Sequence, residues 1–318
     1  MIAQRRLETS LKSAFYVLAM GAVALLAWRS YLDGSGQDGK ALLAGWSAWN
    51  AGIDPYTHTA MGDYNQAPAM TLIGGLAVRL GADAQALGVV VILSAIACAH
   101  LVCVIGRISR WWSLLLIAGA IPLLEVVRMT NATAPVAALL MVGVACVDRR
   151  AVIAGVAVGT SIAMKPLGLA VLGWFLLRGS HRATGAAVLT GLGLTLCSID
   201  LLAPWLEAMH EWAPRWRGAP YNYALLGSLP ATPWVVVVSS LGACAAARIE
   251  RCARARELAI APAIALASSV VASPVVWNYT MILVLPIVAI LPALVRHAQL
   301  ARRGVIGGDL CLRRSFSG

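Results

Sequence analysis

The sequence predicts an all-α polytopic membrane protein, a single integral domain over residues 1–318, with about ten transmembrane helices and interfacial helices in its first outer loop. Three observations carry that prediction. Of the 318 residues, 60% are hydrophobic and 12% charged, with a mean hydropathy of +0.78, whereas a soluble domain carries roughly 25% charged residues. The apolar residues fall in runs too numerous and too spread for a signal peptide or a lone anchor, and no domain-sized polar segment separates them. The basic residues gather in alternate short connections between the runs.

The runs lie at about 13–32, 66–80, 84–105, 112–124, 132–147, 151–164, 166–178, 183–202, 232–247, 258–274 and 279–295. Several are shorter than the roughly 20 residues that cross a bilayer, so tilting, burial among neighbours or re-entry is implied. The clusters Arg149/Arg150, Arg178/Arg182, Arg248/Arg251/Arg254/Arg256 and Arg296/Arg302/Arg303 share one face with Arg5/Arg6/Lys12 and Arg107/Arg110 only if one early run does not cross. Run 66–80 is the weakest, with its Gln66 start, Gly74-Gly75 pair and internal Arg79, and reads as a helix in the interface. Ten crossings remain, in a cell inner membrane, with a cytoplasmic N-terminus (1–12) and a basic, disordered cytoplasmic tail (296–318).

On that topology the cytoplasmic side carries 18 basic and 5 acidic residues and the other side 7 and 9. The net charges, +13 and −2, together make the chain's +11. Charge placed this way serves orientation, and nucleic acid is not an expected partner. Membrane lipid is. Of seven cysteines, Cys98, Cys103, Cys146, Cys197 and Cys244 lie in apolar runs, and neither they nor the scattered histidines show metal-ligand spacing. The oligomeric state leaves no trace in the sequence.

Two long outer loops, 33–65 and 203–231, are rich in Trp, Tyr, Pro and Gly, while the inner loops are short connectors. Function is therefore expected on the outer face. Ionisable groups at membrane depth are costly enough to be functional hypotheses. The topology brings Glu125, Arg128, Asn131, Lys165, Asp200, Asn278 and Tyr279 to one level at the outer ends of crossings. Simple snorkelling to the interface accounts equally well for any single one. Lys165 stands apart, as the only lysine after Lys40, placed in GTSIAMKPLGL where Pro166 breaks a long apolar stretch. An ammonium at such a turn suits an anionic headgroup, with phosphate the obvious candidate.

In QDGKALLAGWSAWNAGIDPYTH (37–58), helical spacing puts Asp38, Leu42, Trp46 and Trp49 on one face. Gly52 supplies the stop and Ile53-Asp54-Pro55-Tyr56 a turn, giving a short amphipathic surface helix. Asp54 reads as a turn residue. Asp38 reads either as the cap of this helix or as a carboxylate facing a cavity. The N-x-T triplets at 131–133 and 278–280 sit against apolar runs and read as chance.

An Asp followed by G-x-D-P-Y and an aromatic-plus-proline start of an interfacial helix (Tyr64, Pro68) resembles glycosyltransferase family 87 of the GT-C superfamily. AGVAVGTSIAMKPLGL (154–169) is similar to that family's Gly-rich crossing ending in Lys, Asn222 in YNYALLGSL to its N-Q-S-x-x-G segment, and SPVVWNY (273–279) to its S-P-x-x-W-x-H element. The ordered set spans about residues 10–295. Two departures stand out: Thr130-Asn131-Ala132-Thr133 replaces a usual Gly-Gln-x-Asn, and Asn278 with Tyr279 stand where His is usual.

The resemblance implies an inverting transfer of a sugar, mannose by default, from a polyprenyl-phosphate donor to a lipid-linked or cell-envelope glycan acceptor. Asp38 is then the general base, Lys165, Arg128 and Tyr279 the donor-phosphate contacts, and Asn131, Tyr56, Tyr64, Asn222, Trp277 and Asn278 the substrate contacts. No cofactor or metal is called for, although an Asp-bound divalent ion stays open. The competing classes are a lipid or sugar flippase, which predicts midplane charges and an internal repeat, and a non-catalytic scaffold of the same fold.

Overall fold

A computed structural model of the protein describes residues 21, 36–57, 64, 66–109, 112–216, 231–251, 260–273 and 278–302. Every element among them is helical: α1 (Gln37–Asn50), α2 (Pro68–Arg79), α3 (Ala84–Ile105), α4 (Trp112–Gly119), α5 (Ile121–Met129), α6 (Thr133–Cys146), α7 (Ala151–Met164), α8 (Leu169–Leu177) and α9 (His181–Leu196). After a 3-10 turn (Ile199–Leu201) come α10 (Leu202–Trp216), α11 (Ala231–Glu250), α12 (Ile260–Val271), a 3-10 helix (Asn278–Val284) and α13 (Leu285–Arg302).

Two described helices are long and apolar enough to cross a membrane, Ala84–Ile105 and Pro233–Glu250. A third span arises if His181–Leu196 and Ile199–His210, bent by 70° at their break, count as one. Thr133–Cys146, Ala151–Met164, Ile260–Val271 and Thr280–Leu291 are apolar but shorter. Breaks explain part of this shortness. The apolar stretch 112–129 is interrupted at Ala120, with Pro122 in the first turn of α5, and 151–177 is interrupted at Lys165–Gly168. Run 13–32 lies outside the described residues apart from Gly21, whereas α13 continues to Arg302, into the segment expected as a disordered tail.

Small residues set the packing. Gly155 and Gly159 on α7 face the Ala183 and Ala187 carbonyls of α9 so closely that a Cβ on either would collide. This is the close helix approach that small-xxx-small spacing permits. α6 packs between α3 and α7, and the fully buried Val91, Cys98, Val102, Leu140, Met141 and Val158 lie in the resulting core.

The Gly74-Gly75 pair has a related role. α1 buries Gly39, Leu42, Gly45 and Trp46, packing on α2 with the Trp46 ring over Gly74, the Trp49 ring over Gly75 and the Tyr64 ring over Gly45. Asn50 Nδ2 donates to the Gly75 carbonyl at 2.8 Å, Arg79 Nε donates to Asn50 Oδ1 at 2.6 Å, and the Arg79 guanidinium lies 4.9 Å above the Trp49 ring. Arg79 is thus held by α1 through a stacked cation and a hydrogen bond. α1 ends as its sequence predicts: Gly52 takes φ +74°, Ile53 N–H reaches the Ala48 carbonyl, and Asp54 Oδ1 accepts from Tyr56 N–H at 2.9 Å.

The other ends of the helices gather at one place. Arg107, Asp148, Arg178, Glu250 and Arg251 line a cavity of about 560 Å³ with Ala261 and Pro262, so α3, α6, α8 and α11 finish where α12 begins. Trp174 Nε1 donates to Glu250 Oε2 at 2.7 Å, and Arg178 pairs with Glu250 at 3.2 Å and with Asp148 while stacking 4.8 Å from the Trp174 ring. Arg107, Arg178 and Arg251, from three of the basic connections, thus line one cavity.

Candidate active site

At the opposite end of α6, a corner between α5 and α6 holds the polar residues together. α5 closes with Asn131 N–H on the Val126 carbonyl and Thr130 N–H on the Val127 carbonyl, and Thr130 adopts the left-handed conformation, φ +51° and ψ +49°. Glycine is the usual occupant of that position. The corner frees the Asn131 side chain to bridge two elements. Its Oδ1 accepts from Thr133 N–H at 2.7 Å, meeting an otherwise unpaired amide in the first turn of α6, and its Nδ2 donates to Asp38 Oδ2 at 2.6 Å.

Asp38 is therefore not a cap. The N-cap of α1 is Gly36, with no side-chain cap bond, and the Asp38 carboxylate bonds across 93 residues of sequence to Asn131. Asp38 is half-buried and Asn131 and Thr133 are buried. Burial holds the Asp38 carboxyl above the ordinary carboxylate range, with Glu125 pushing the same way, while the Asn131 amide, Lys165 and Arg128 pull it down.

Lys165 follows directly on α7, where the chain leaves the helix with φ −160° and ψ +123° ahead of Pro166. Its Nζ donates to Thr133 Oγ1 at 2.9 Å. Thr133 is thus the hub, with its amide on the group that holds Asp38 and its hydroxyl on the ammonium. Arg128, one turn before the corner, is exposed and forms a bidentate pair with Glu125, with Nε to Oε2 at 2.8 Å. Its charge still acts on Asp38.

The corner lies well along α3 from its start. Cys98 Sγ lies 3.7 Å from the Ala134 carbonyl, and from Ala84 to Cys98 α3 rises about 21 Å. α3 thus extends well beyond the level of Thr133, and α1, packed on α2, α3 and α5, brings Asp38 to that level.

The remaining expected residues divide. The Tyr56 and Tyr64 rings stand 5.5 Å apart, and both hydroxyls turn to Thr71 of α2, at 3.3 and 2.7 Å, with Tyr56 also donating to the Gln66 carbonyl at 3.0 Å. Burial pushes both phenols up. They pin the first loop to α2 rather than meeting Asp38. Asn278 and Tyr279 open the 3-10 helix that packs on α5 and α6. Asn222 and Trp277 lie outside the described residues. Among the described residues no three His, Cys, Asp or Glu side chains group as a metal set.

The sequence assigns no role to Thr130 or Thr133, though both stand in the Thr130-Asn131-Ala132-Thr133 departure from the family's pattern. A half-buried carboxylate, a buried amide and an ammonium in one chain of contacts can accept a proton at one end and steady an anion at the other. The chain matches the family model for glycosyltransferase family 87 over residues 78–274, a stretch that holds Asn131, Thr133 and Lys165 and that Asp38 precedes. No curated protein and no solved structure matches it. With well over half of its length so matched, the chain belongs to glycosyltransferase family 87.

Proposed function

We propose that this glycosyltransferase takes its sugar, mannose by default, from a polyprenyl-phosphate donor. The acceptor is a hydroxyl of a lipid-linked or cell-envelope glycan, and the reaction runs on the outer face of a membrane the chain crosses ten times with both termini cytoplasmic. The observation that supports this best is the contact chain Asp38–Asn131–Thr133–Lys165.

Asp38, ionised, takes the proton of the acceptor hydroxyl as its oxygen attacks the anomeric carbon. The bond from that carbon to the phosphate oxygen breaks, and the phosphate leaves with the electron pair. A single displacement from the face opposite the phosphate inverts the anomeric configuration. Lys165 is suited to the developing phosphate charge because its ammonium is compact and already held by Thr133. Arg128, on the exposed side of the corner, supplies a second positive charge.

The test supplies the protein, in lipid nanodiscs, with polyprenyl-phosphate-mannose and a glycolipid acceptor extract. Release of polyprenyl phosphate with one sugar gained by the acceptor, in inverted linkage, is the expected result. Retention of configuration, or transfer only from a nucleotide sugar, overturns the proposal.

A further inference from the structure

A threonine in the left-handed region calls for an explanation. β-branched side chains are strained there, and glycine or asparagine would close α5 in the same way at less cost. Thr130 is 2% exposed, and its Oγ1 accepts the Gly36 N–H at 3.1 Å. Gly36 is the N-cap of α1, its carbonyl accepting from Lys40 N–H at 3.0 Å. A Cβ on Gly36 would run into the Arg128 and Met129 carbonyls, so only glycine brings this backbone onto the corner. Two contacts then run side by side, Gly36 to Thr130 through the backbone amide and Asp38 to Asn131 through the carboxylate.

We infer that Thr130 is a positioning residue: its hydroxyl, presented by the left-handed corner, latches the start of α1 through the Gly36 amide and thereby sets Asp38 against Asn131. This rests on the proposed role of Asp38 as base. A glycine at 130 would give the corner but no acceptor. An asparagine at 131 without the latch would hold the carboxylate but not the backbone that carries it. The strained residue is explained by what its side chain holds.

Three substitutions separate the hydroxyl from the backbone. Thr130→Val keeps the shape and removes the acceptor, Thr130→Gly removes the strain and the acceptor, and Thr130→Ser keeps the acceptor. Amide exchange of the peptide covering residues 36–46, followed by mass spectrometry in nanodiscs, reads the latch without any activity. The inference predicts faster exchange there in Thr130→Val and Thr130→Gly, and near wild-type exchange in Thr130→Ser. It predicts a fall in kcat of about tenfold for the first two, with Thr130→Gly melting no lower than wild type. A purely structural residue would lower melting temperature and activity together. Unchanged exchange in Thr130→Val and Thr130→Gly overturns the latch. Faster exchange with unchanged transfer in both leaves the contact standing but overturns its positioning role, and if Asp38→Asn also transfers normally, the reading of Asp38 as base is what has failed.

Discussion

Lys165 Nζ and Thr133 Oγ1 stand 2.9 Å apart, which places a cation three contacts away from the carboxylate of Asp38. Through Thr133 and Asn131, a break in one helix, a corner between two others and a surface helix are joined. Each member then has a separable consequence when altered.

Asn131→Ala removes the amide that both holds Asp38 and favours its ionised form. Hydrogen bonds to charged groups are worth about 1.5–3 kcal/mol, so transfer should fall about ten- to a hundredfold. The acid limb of kcat against pH should also move to higher pH. For wild type that limb should itself lie above the ordinary Asp value of about 3.9, because burial favours the neutral acid and a base at Asp38 would be lost as pH falls through the raised value. Glu125→Gln should shift the limb the other way. A pH–rate series on the three proteins reads all of this.

Lys165→Met removes the ammonium and keeps the length of the side chain. Where charge on the leaving phosphate develops in the transition state, losing such a group costs about a hundred- to a thousandfold in kcat. Initial-rate kinetics with varied donor should show the loss in kcat more than in KM. A change confined to KM would instead mean that Lys165 only binds the donor.

Gly74→Leu places a side chain where the Trp46 ring rests. Overpacking of this kind costs about 1–3 kcal/mol, and because α1 carries Asp38, activity should fall with the melting temperature. Gly193→Leu serves as the control, since a Cβ there meets nothing within 4 Å. Thermal melts and transfer rates of the two variants make the comparison.

The sequence announced the parts of this arrangement that obey a period or a cost. Helical spacing placed Asp38 with Leu42 and Trp46, Gly52 marked the end of α1, and the rarity of lysine singled out Lys165. The expense of polar groups near apolar runs pointed to Asn131. What stayed hidden were contacts made by cheap residues. A threonine is tolerated almost anywhere, so neither Thr130 nor Thr133 departs from its surroundings in composition. Tyr56 and Tyr64 sit in a suggestive loop, but their partner Thr71 depends on how α2 folds back beside that loop. The Gly74-Gly75 pair and Arg79 weakened run 66–80 as a crossing, yet their use as seats for Trp46 and Trp49 emerges only once α1 and α2 meet. The tie of Trp174 and Arg178 to Glu250 joins residues more than 70 positions apart, which no local pattern encodes.

The central claim is that Asp38 is the base. Asp38→Asn keeps the shape and an acceptor oxygen for the Asn131 amide, so the fold should survive. The sign of the titration goes further: a carboxyl raised above its unfolded value costs stability once pH rises past that value, so the variant should melt no lower than wild type at neutral pH. The deciding measurement is the initial rate of sugar transfer by Asp38→Asn in nanodiscs at neutral pH, beside wild type. A loss of about a hundred- to ten-thousandfold in a protein that melts normally is expected if Asp38 is the base, and a rate within a few-fold of wild type would overturn that role.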